Sequence, residues 1–323
     1  MLGNKPNGLG GEAFEAAPQE RLAPENPATS ETGAPPSTAE QVDEHAGSVP
    51  LWRKLLQRRL AVAGLATVAL LIAIALLAPW LAPYSPEEMT GSFNAAPDGE
   101  HWLGTDQLGR DVLSRIIYAA RVSLAVGFVT MAISVVLGTL IGLVSAYYGG
   151  WLDMLMMRVT DVFIAFPTLL VVLVVIATMG SGLTTVILVL AFFSWPDLAR
   201  LVRGQVLVIK QQEYMKAGVV LGLSAPRLLF VHALPNAIGP IVVNATYGVS
   251  AAILSEASLS FLGMGIGPPH VSWGGMLSDA QSLSVLTERP WLWLPPGIVI
   301  MVTVLAINYI GSGLRDSLAR HNG

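Results

Sequence analysis

The sequence has 323 residues, of which 53% are hydrophobic and only 12% are charged, and its mean hydropathy is +0.60. Soluble domains carry about 25% charged residues, so this composition indicates a polytopic membrane protein. Cysteine is absent and all five histidines lie in polar stretches, which excludes thiolate metal sites and argues against a histidine-built site within the membrane.

Residues 1–50 form the first segment, which is rich in Pro, Ala, Glu and Gly and carries a net charge of −6. Such a segment buries too little apolar surface to offset its ordering entropy, so we predict a disordered cytoplasmic tail. A partner-binding role for this tail is the alternative. It does not have the pattern of a signal peptide, because no basic region opens the chain and the first apolar run begins near Leu60.

Residues 51–82 combine a basic, amphipathic approach to the membrane with a first predicted span, Leu60–Leu81. The span is long enough for a hydrocarbon core of about 30 Å. Four basic residues precede it, and Glu87 and Glu88 follow it, which predicts a cytoplasmic N-terminus.

Residues 83–118 are predicted to form an extracytoplasmic loop. The part after Gly109 has helix spacing and is expected to run into the next span without a break. His101, Asp106 and Asp111 in this loop could be taken for a metal site. Turn-forming and capping roles for Thr105, Asp106 and the glycines are the preferred interpretation, and we expect no metal.

Residues 119–318 are predicted to form a five-helix core, which gives an all-α membrane protein with six spans. We expect a kink at Pro167 and an interruption at Trp195-Pro196-Asp197. Of the sixteen Lys and Arg residues beyond the tail, twelve fall on the predicted inner side, which places both termini in the cytoplasm. The five further predicted spans are Ser123–Tyr147, Met156–Met179, Leu183–Leu201, Ile238–Leu262 and Leu292–Ile310.

Residues 210–236 form a polar segment between two of these spans, and we call it the coupling loop. Connections between helices are usually about 2–8 residues long, so this one is too long for a simple turn. We predict one short helix over Glu213–Gly222, stopped by the glycine, and a second over about Pro226–Leu234 that ends near Pro235. An ordinary solvated linker is the alternative interpretation.

Catalytic functions are disfavoured by what the sequence lacks. None of its four lysines is followed by Ser or Thr, so a phosphate-binding loop of the Walker type is excluded. The predicted spans contain no histidine to serve as a base for an intramembrane serine protease. We therefore expect a protein that is not an enzyme and binds no nucleotide cofactor itself.

The coupling loop resembles the EAA loop of binding-protein-dependent ABC importer permeases. That pattern is a Glu, two small residues, a Gly and a final Leu-Pro, carried here by Glu213, Ala217, Gly218, Gly222 and His232-Ala-Leu-Pro235. Gly218 departs from the usual second alanine, and Ala119 stands where a glycine is common. Three further stretches resemble the C-type subunit of the dipeptide, oligopeptide and nickel branch: His101–Arg115, Met157–Pro167 and Glu256–Gly263.

The resemblance covers about residues 55–318 and implies a permease fold of the methionine-importer (MetI-like) type. It implies a homologous permease subunit as partner, two ATPase subunits that bind ATP and dock on the coupling loop, and an extracytoplasmic solute-binding protein. The implied location is a bacterial or archaeal cytoplasmic membrane, and no nucleic-acid partner is expected. Dipeptides, longer peptides, glutathione-like molecules and chelated nickel remain open as solutes.

Charged residues within the predicted spans are candidates for the translocation pathway. Arg158 and Asp161 are three residues apart, as are Asp197 and Arg200, so each pair can meet on one helix face. Both pairs lie toward the predicted inner ends of their spans, which favours structural pairing over substrate binding. Glu256 lies near the outer end of its span, where it could line a gate or bond the neighbouring outer loop. An autonomous channel or secondary carrier is the rival function, and it would favour ionisable groups near the midplane of several spans.

Overall fold

The computed structural model describes residues 57–319, and every regular element within that range is helical. Residues 1–50, predicted as a disordered tail, and residues 51–56 of the basic approach lie outside the described range. The helices are α1 Arg59–Leu76, α2 Ala78–Leu81, α3 Val112–Tyr148, α4 Gly150–Ala165, α5 Thr168–Met179, α6 Leu183–Lys210, α7 Glu213–Val220, α8 Ala225–Phe261, α9 Trp273–Leu277, α10 Leu283–Glu288 and α11 Pro290–Ala319.

Five of the described helices, α1, α3, α6, α8 and α11, are long and apolar enough to cross a membrane. The pair α4 and α5 passes the same test together but is bent by 83°, so the chain has six apolar segments if this pair forms one span. The bend lies at Phe166 and Pro167, which both have extended backbone angles. Proline disfavours a helical conformation in the residue before it, and the predicted kink is therefore nearly a right angle.

The predicted interruption of α6 at Trp195-Pro196-Asp197 is wrong, because the helix is continuous from Leu183 to Lys210 with Pro196 inside it. Proline removes one helix hydrogen bond, and membrane helices tolerate this loss where neighbouring helices enclose the site. Trp195 and Pro196 are both buried in the bundle.

The most extensive helix contact among the described residues joins α3 to α6 along a stripe of small residues. A side chain on Gly138 would approach the carbonyl oxygen of Trp195 to 2.8 Å, and one on Gly142 would approach Val202 Cβ to 2.8 Å. One turn earlier, Ser134 Oγ donates a hydrogen bond to the carbonyl of Ala191 (3.1 Å). Small residues at this spacing allow two backbones to approach closely, as is common between membrane helices.

The segment before α3, predicted as an extracytoplasmic loop, is folded against the start of that helix. Asp111 caps α3 by accepting a hydrogen bond from Ser114 N (2.7 Å), and the backbone of Tyr84 donates to Ser114 Oγ (3.1 Å). Because α3 has 37 residues and is about 55 Å long, it exceeds the membrane core and carries this segment beyond it. The loop and the helix start were both expected at these positions.

Candidate functional site

The coupling loop is a compact knob made of α7 and the first turns of α8. At the end of α7, Gly222 has φ +73°, and its N–H donates to the carbonyl of Val219 (3.0 Å), while Leu223 N donates to Gly218 O (3.0 Å). These two bonds form a Schellman motif, which needs a residue in the left-handed region and therefore favours glycine. The glycine stop expected from the sequence is thus present in the structure.

Gly218 lies inside the knob, where α7 meets α8. A Cβ added at this position would lie 2.8 Å from Leu228 Cδ2 and 3.3 Å from Leu223 Cδ1. Met215 is buried on the same face. The small residue therefore permits packing within the knob, whereas Ala217 is exposed on the opposite side.

The exposed side of the knob is apolar at its tip and charged at its start. The tip consists of Val219, Val220 and Leu221, which are 61%, 86% and 78% exposed. Glu213 opens α7, and its carboxylate accepts a hydrogen bond from Lys216 Nζ (2.9 Å). Sequence reasoning missed the tip, although an apolar run directly before a helix-stopping glycine in a polar loop was the available signal.

The predicted end of the second short helix near Pro235 is wrong, because the chain continues from Ala225 to Phe261 as one helix. Its turns over Leu228–Ala233 are π-helical, and Pro235 sits in the first turn of the α-helical part that follows. A π-helical turn changes the hydrogen-bond register before the proline, which allows the helix to pass it. His232 is half-buried in these turns, and its carbonyl accepts from Asn236 Nδ2 (2.7 Å).

A charged cluster spans the bend region of α4 and the middle of α6. Arg158 Nη1 lies 3.9 Å from Asp161 Oδ2 on α4, and Arg200 on α6 forms an ion pair with the other oxygen of the same carboxylate. The side chains of Asp161 and Arg200 are each 46% exposed. Arg200 thus pairs across helices, whereas the sequence suggested Asp197 on its own helix.

A second ion pair, which sequence reasoning missed, joins the start of α4 to α6. Arg203 donates from Nε and Nη2 to the two carboxylate oxygens of Asp153, both at 2.6 Å. Ser145 Oγ, at the end of α3, donates to Asp153 as well. Bidentate pairs of this kind fix geometry, so the cluster holds three helices together at one end of the bundle.

Glu256 is 1% exposed and lies near the C-terminal end of α8. Its Oε1 accepts hydrogen bonds from Ser260 Oγ (2.6 Å) and from Ser272 Oγ (2.7 Å), the residue that caps α9. Among the described residues its Oε2 accepts no hydrogen bond. Gly274 packs so closely that an added Cβ would lie 3.0 Å from this oxygen. Glu256 therefore joins α8 to the segment that contains α9.

The histidine and aspartates of the segment before α3 take part in turn and cap hydrogen bonds, which were predicted for Asp106 but not for His101 or Asp111. Asp106 Oδ1 accepts from the backbone N–H groups of Leu108 (2.8 Å) and Arg110 (3.0 Å). His101 Nδ1 lies 3.0 Å from Asp111 Oδ1, on the residue that caps α3. Within the described part of the chain, no group of three or more His, Cys, Asp or Glu side chains is arranged to hold a metal ion.

Two family models match this chain. One describes the binding-protein-dependent transport system inner membrane component and matches residues 134–322, and the other describes the N-terminal transmembrane domain of oligopeptide transport permease C and matches residues 51–97.

Individual relatives agree with these models. The glutathione transport system permease protein GsiD of Pectobacterium atrosepticum is 44% identical over 83% of this chain and 89% of its own length. The dipeptide transport system permease protein DppC of Alkalihalophilus pseudofirmus is 40% identical over 90% of this chain and 95% of its own length. A putative peptide permease protein of Brucella suis is 42% identical over 82% of this chain and 88% of its own length. The chain belongs to the family of inner membrane components of binding-protein-dependent transport systems.

Proposed function

We propose that this chain is one permease subunit of an ATP-driven importer for peptides or a related solute. Its six spans place both termini in the cytoplasm, a homologous permease subunit completes the pore, and an extracytoplasmic binding protein delivers the solute. Two separate ATPase subunits dock on the coupling loop and hydrolyse ATP. The dipeptide and glutathione permeases among the relatives support this solute class, and the distribution of basic residues supports the orientation.

The observation that carries the proposal is the apolar tip of the knob. Val220 and Leu221 are 86% and 78% exposed at the end of a polar loop that the membrane does not cover in this orientation. A contiguous exposed apolar surface outside the membrane is typical of an interaction site. Glu213 and Ala217 lie on the same side of α7 and complete the docking surface. Glu213 gives it a charged end, and the small side chain of Ala217 allows the ATPase to approach the helix closely.

A pair of matched variants tests this docking surface. Leu221→Asp places a charge at the tip, whereas Leu283→Asp changes an equally exposed leucine on α10, which is 76% exposed and lies outside the loop. We expect Leu221→Asp to insert normally but to lose the co-purifying ATPase subunits, with uptake reduced at least about tenfold. Leu283→Asp retains the ATPase. Full retention of the ATPase by both variants would refute the tip as the docking surface, whereas the absence of any ATPase co-purifying with the unsubstituted protein would overturn the importer function and favour an autonomous carrier.

Arg158 and Asp161, together with Arg200, are proposed to line an aqueous pathway toward the inner side. Ionised side chains that are half-exposed on membrane-spanning helices are stable only next to water, a partner charge or another subunit. The chain has no cysteine, so in a single-cysteine variant only the introduced residue can react with a thiol reagent, and its labelling shows whether that position is accessible to water. We expect Asp161→Cys to react with a membrane-impermeant thiol reagent and Val136→Cys, an exposed apolar position on α3, to remain unlabelled. Equal labelling would refute the assignment.

Glu256 is proposed to act in gating through the outer segment that it holds. Movement of α9 away from α8 must break the hydrogen bond from Ser272 Oγ to Glu256 Oε1. Glu256→Gln keeps an acceptor oxygen but removes the charge, and charged groups make the stronger hydrogen bonds, so we expect a changed transport rate with normal insertion. An unaltered rate would remove Glu256 from the functional residues.

Uptake of labelled peptides and of Ni²⁺ identifies the solute.

A further inference from the structure

A basic patch lies where the start of α1 meets the end of α11. Arg58 Nη1 lies 3.4 Å from Asp316 Oδ2, so an ion pair joins the two helices at this point. Arg59 and Arg315 are the chain neighbours of these two residues, and both are exposed. Within the described part of the chain, neither of them forms an ion pair. We call these four residues the α1–α11 patch; three arginines against one aspartate give it a net positive charge.

The patch lies at the same end of the bundle as the knob, but it is set back from the knob toward the membrane. α1 and α11 run antiparallel, and a Cβ added at Gly64 would lie 3.3 Å from Ile310 Cγ1. One turn beyond the patch residues of α11, Leu318 packs against α8, because a Cβ added at Gly239 would lie 2.8 Å from Leu318 Cδ2. Gly239 is about 21 Å along the axis of α8 from Ala225.

The length of α8 beyond this contact places the patch at the boundary of the membrane core. The helix continues from Gly239 to Phe261 for about 33 Å, which matches a hydrocarbon core of about 30 Å. The end of α11 that packs on Gly239 therefore lies near the level of the lipid headgroups. Arginine side chains at this level can extend their guanidinium groups into the headgroup layer.

Apolar surface continues from the patch along both helices. α1 has few buried residues, and its exposed side chains begin directly after Arg59. The large exposed side chains nearest the patch are Leu60 and Leu65 on α1, and Leu305 and Tyr309 on α11. A free anion would contact only the charged part of this surface, whereas a phospholipid has both a charged headgroup and apolar chains. The surface thus fits a lipid better than it fits a soluble anion.

We propose that the α1–α11 patch binds the headgroup of an anionic phospholipid, with the acyl chains along the exposed faces of α1 and α11. Guanidinium groups pair with phosphate oxygens through strong, oriented hydrogen bonds. Asp316 balances the charge of Arg58 and leaves the charges of Arg59 and Arg315 for the lipid. This inference goes beyond the importer function and does not depend on it; the proposed orientation assigns the lipid to the inner leaflet.

The test measures lipid binding to the purified full-length chain in detergent by native mass spectrometry. The probes are dioleoylphosphatidylglycerol and dioleoylphosphatidylcholine, which have the same acyl chains but differ in headgroup charge. We expect the anionic lipid to bind about 25-fold more tightly, which is roughly fivefold for each of the two remaining charges. The intact chain is used because residues 1–50 have a net charge of −6 and would compete for the patch. Equal binding of the two lipids would overturn the proposal.

Variants connect this preference to the patch. The double variant Arg59→Gln and Arg315→Gln keeps the ion pair of Arg58 with Asp316, so we expect an unchanged melting temperature in detergent and a lost preference for the anionic lipid. Lysine at both positions should retain most of the preference. Arg121→Gln is the matched control, because Arg121 is an exposed arginine on α3, outside the patch. A preference that survives the double glutamine variant, or one that Arg121→Gln lowers equally, would refute the assignment.

Co-purification of the homologous permease subunit separates a lipid site from a protein interface. If the double glutamine variant loses that subunit but keeps its lipid preference, the patch is a contact between subunits and the proposal is overturned. We expect the opposite result, in which the subunit is retained and the preference is lost. The importer function is tested by ATPase co-purification, which this lipid assay does not use, so the two proposals fail separately.

Discussion

Replacing Gly222 with alanine tests whether the knob transmits force through a fixed shape. Gly222 has φ +73°, and an added Cβ would meet nothing within 4 Å, so the substitution produces backbone strain without a steric clash. An alanine in the left-handed region costs about 1–2 kcal/mol, whereas asparagine tolerates that region far better. Gly222→Ala and Gly222→Asn therefore differ in strain but hardly in exposed surface.

The strain energy at residue 222 sets the size of the expected effect on the conformation of the knob. An energy of 1–2 kcal/mol corresponds to a roughly five- to thirtyfold change in the ratio of two conformations. The Schellman bonds Gly222 N to Val219 O and Leu223 N to Gly218 O are the contacts at risk, and they orient the apolar tip. We expect the strain to loosen the tip while the bundle, which is held elsewhere, stays folded.

Reconstituted complexes provide the assay. ATP hydrolysis and peptide uptake are measured together in proteoliposomes, and the ratio of solute moved to ATP consumed is compared among the variants. Gly222→Ala is expected to lower this ratio several-fold, Gly222→Trp to lower it further, and Gly222→Asn to stay near the wild-type value. If Gly222→Ala and Gly222→Trp both couple normally, the shape of the knob does not carry the coupling.

Three further tests probe the interior. Gly142→Val should lower the thermal stability of the detergent-solubilised protein through overpacking against α6, at a cost of about 1–3 kcal/mol. Asp153→Asn and Arg203→Gln should each destabilise the protein, and a double-mutant cycle should give a coupling energy of about 1 kcal/mol; additive effects would contradict the bidentate pair. Gly218→Ala should keep uptake, because better helix propensity, worth about 1 kcal/mol, offsets the close approach of Leu228, whereas Gly218→Leu should abolish uptake.

Patterns set by near neighbours in the chain were predicted from the sequence. The apolar runs predicted the long helices, since about 20 apolar residues are needed to cross a membrane. The glycine at 222 predicted the end of α7, and Asp106 predicted a turn before α3. Each of these features depends on residues only a few positions apart, so the sequence alone contains the information.

Features that depend on contacts between helices could not be predicted in the same way. Pro196 was expected to interrupt α6, but its burial against neighbouring helices keeps that helix continuous. Arg200 was paired with Asp197 by spacing, yet its partner Asp161 lies 39 residues away on another helix. The position of Gly218 inside the knob likewise follows from Leu228, which reaches it only once α7 folds back on α8.

The continuity of α8 gives the coupling loop a mechanical path through the membrane. The helix runs from Ala225 to Phe261 and is about 55 Å long. Near its N-terminal end, Leu228 is buried in the same hydrophobic cluster as Met215 of α7. Near its C-terminal end, Glu256 accepts a hydrogen bond from Ser272 of the segment that contains α9. A helix that ended at Pro235, as the sequence suggested, would have left these two sites on separate helices.

The π-helical turns over Leu228–Ala233 are where the hydrogen-bond ladder of α8 changes its register. Bending of α8 should therefore concentrate in these turns, where the helix leaves the knob, because π-helical turns are common where helices deform. A displacement of α7 by the ATPase would then tilt the part of α8 from Leu234 to Phe261 as a rigid rod. Such a tilt would move Glu256 relative to α9 and would strain the hydrogen bond that Ser272 Oγ donates to Glu256 Oε1.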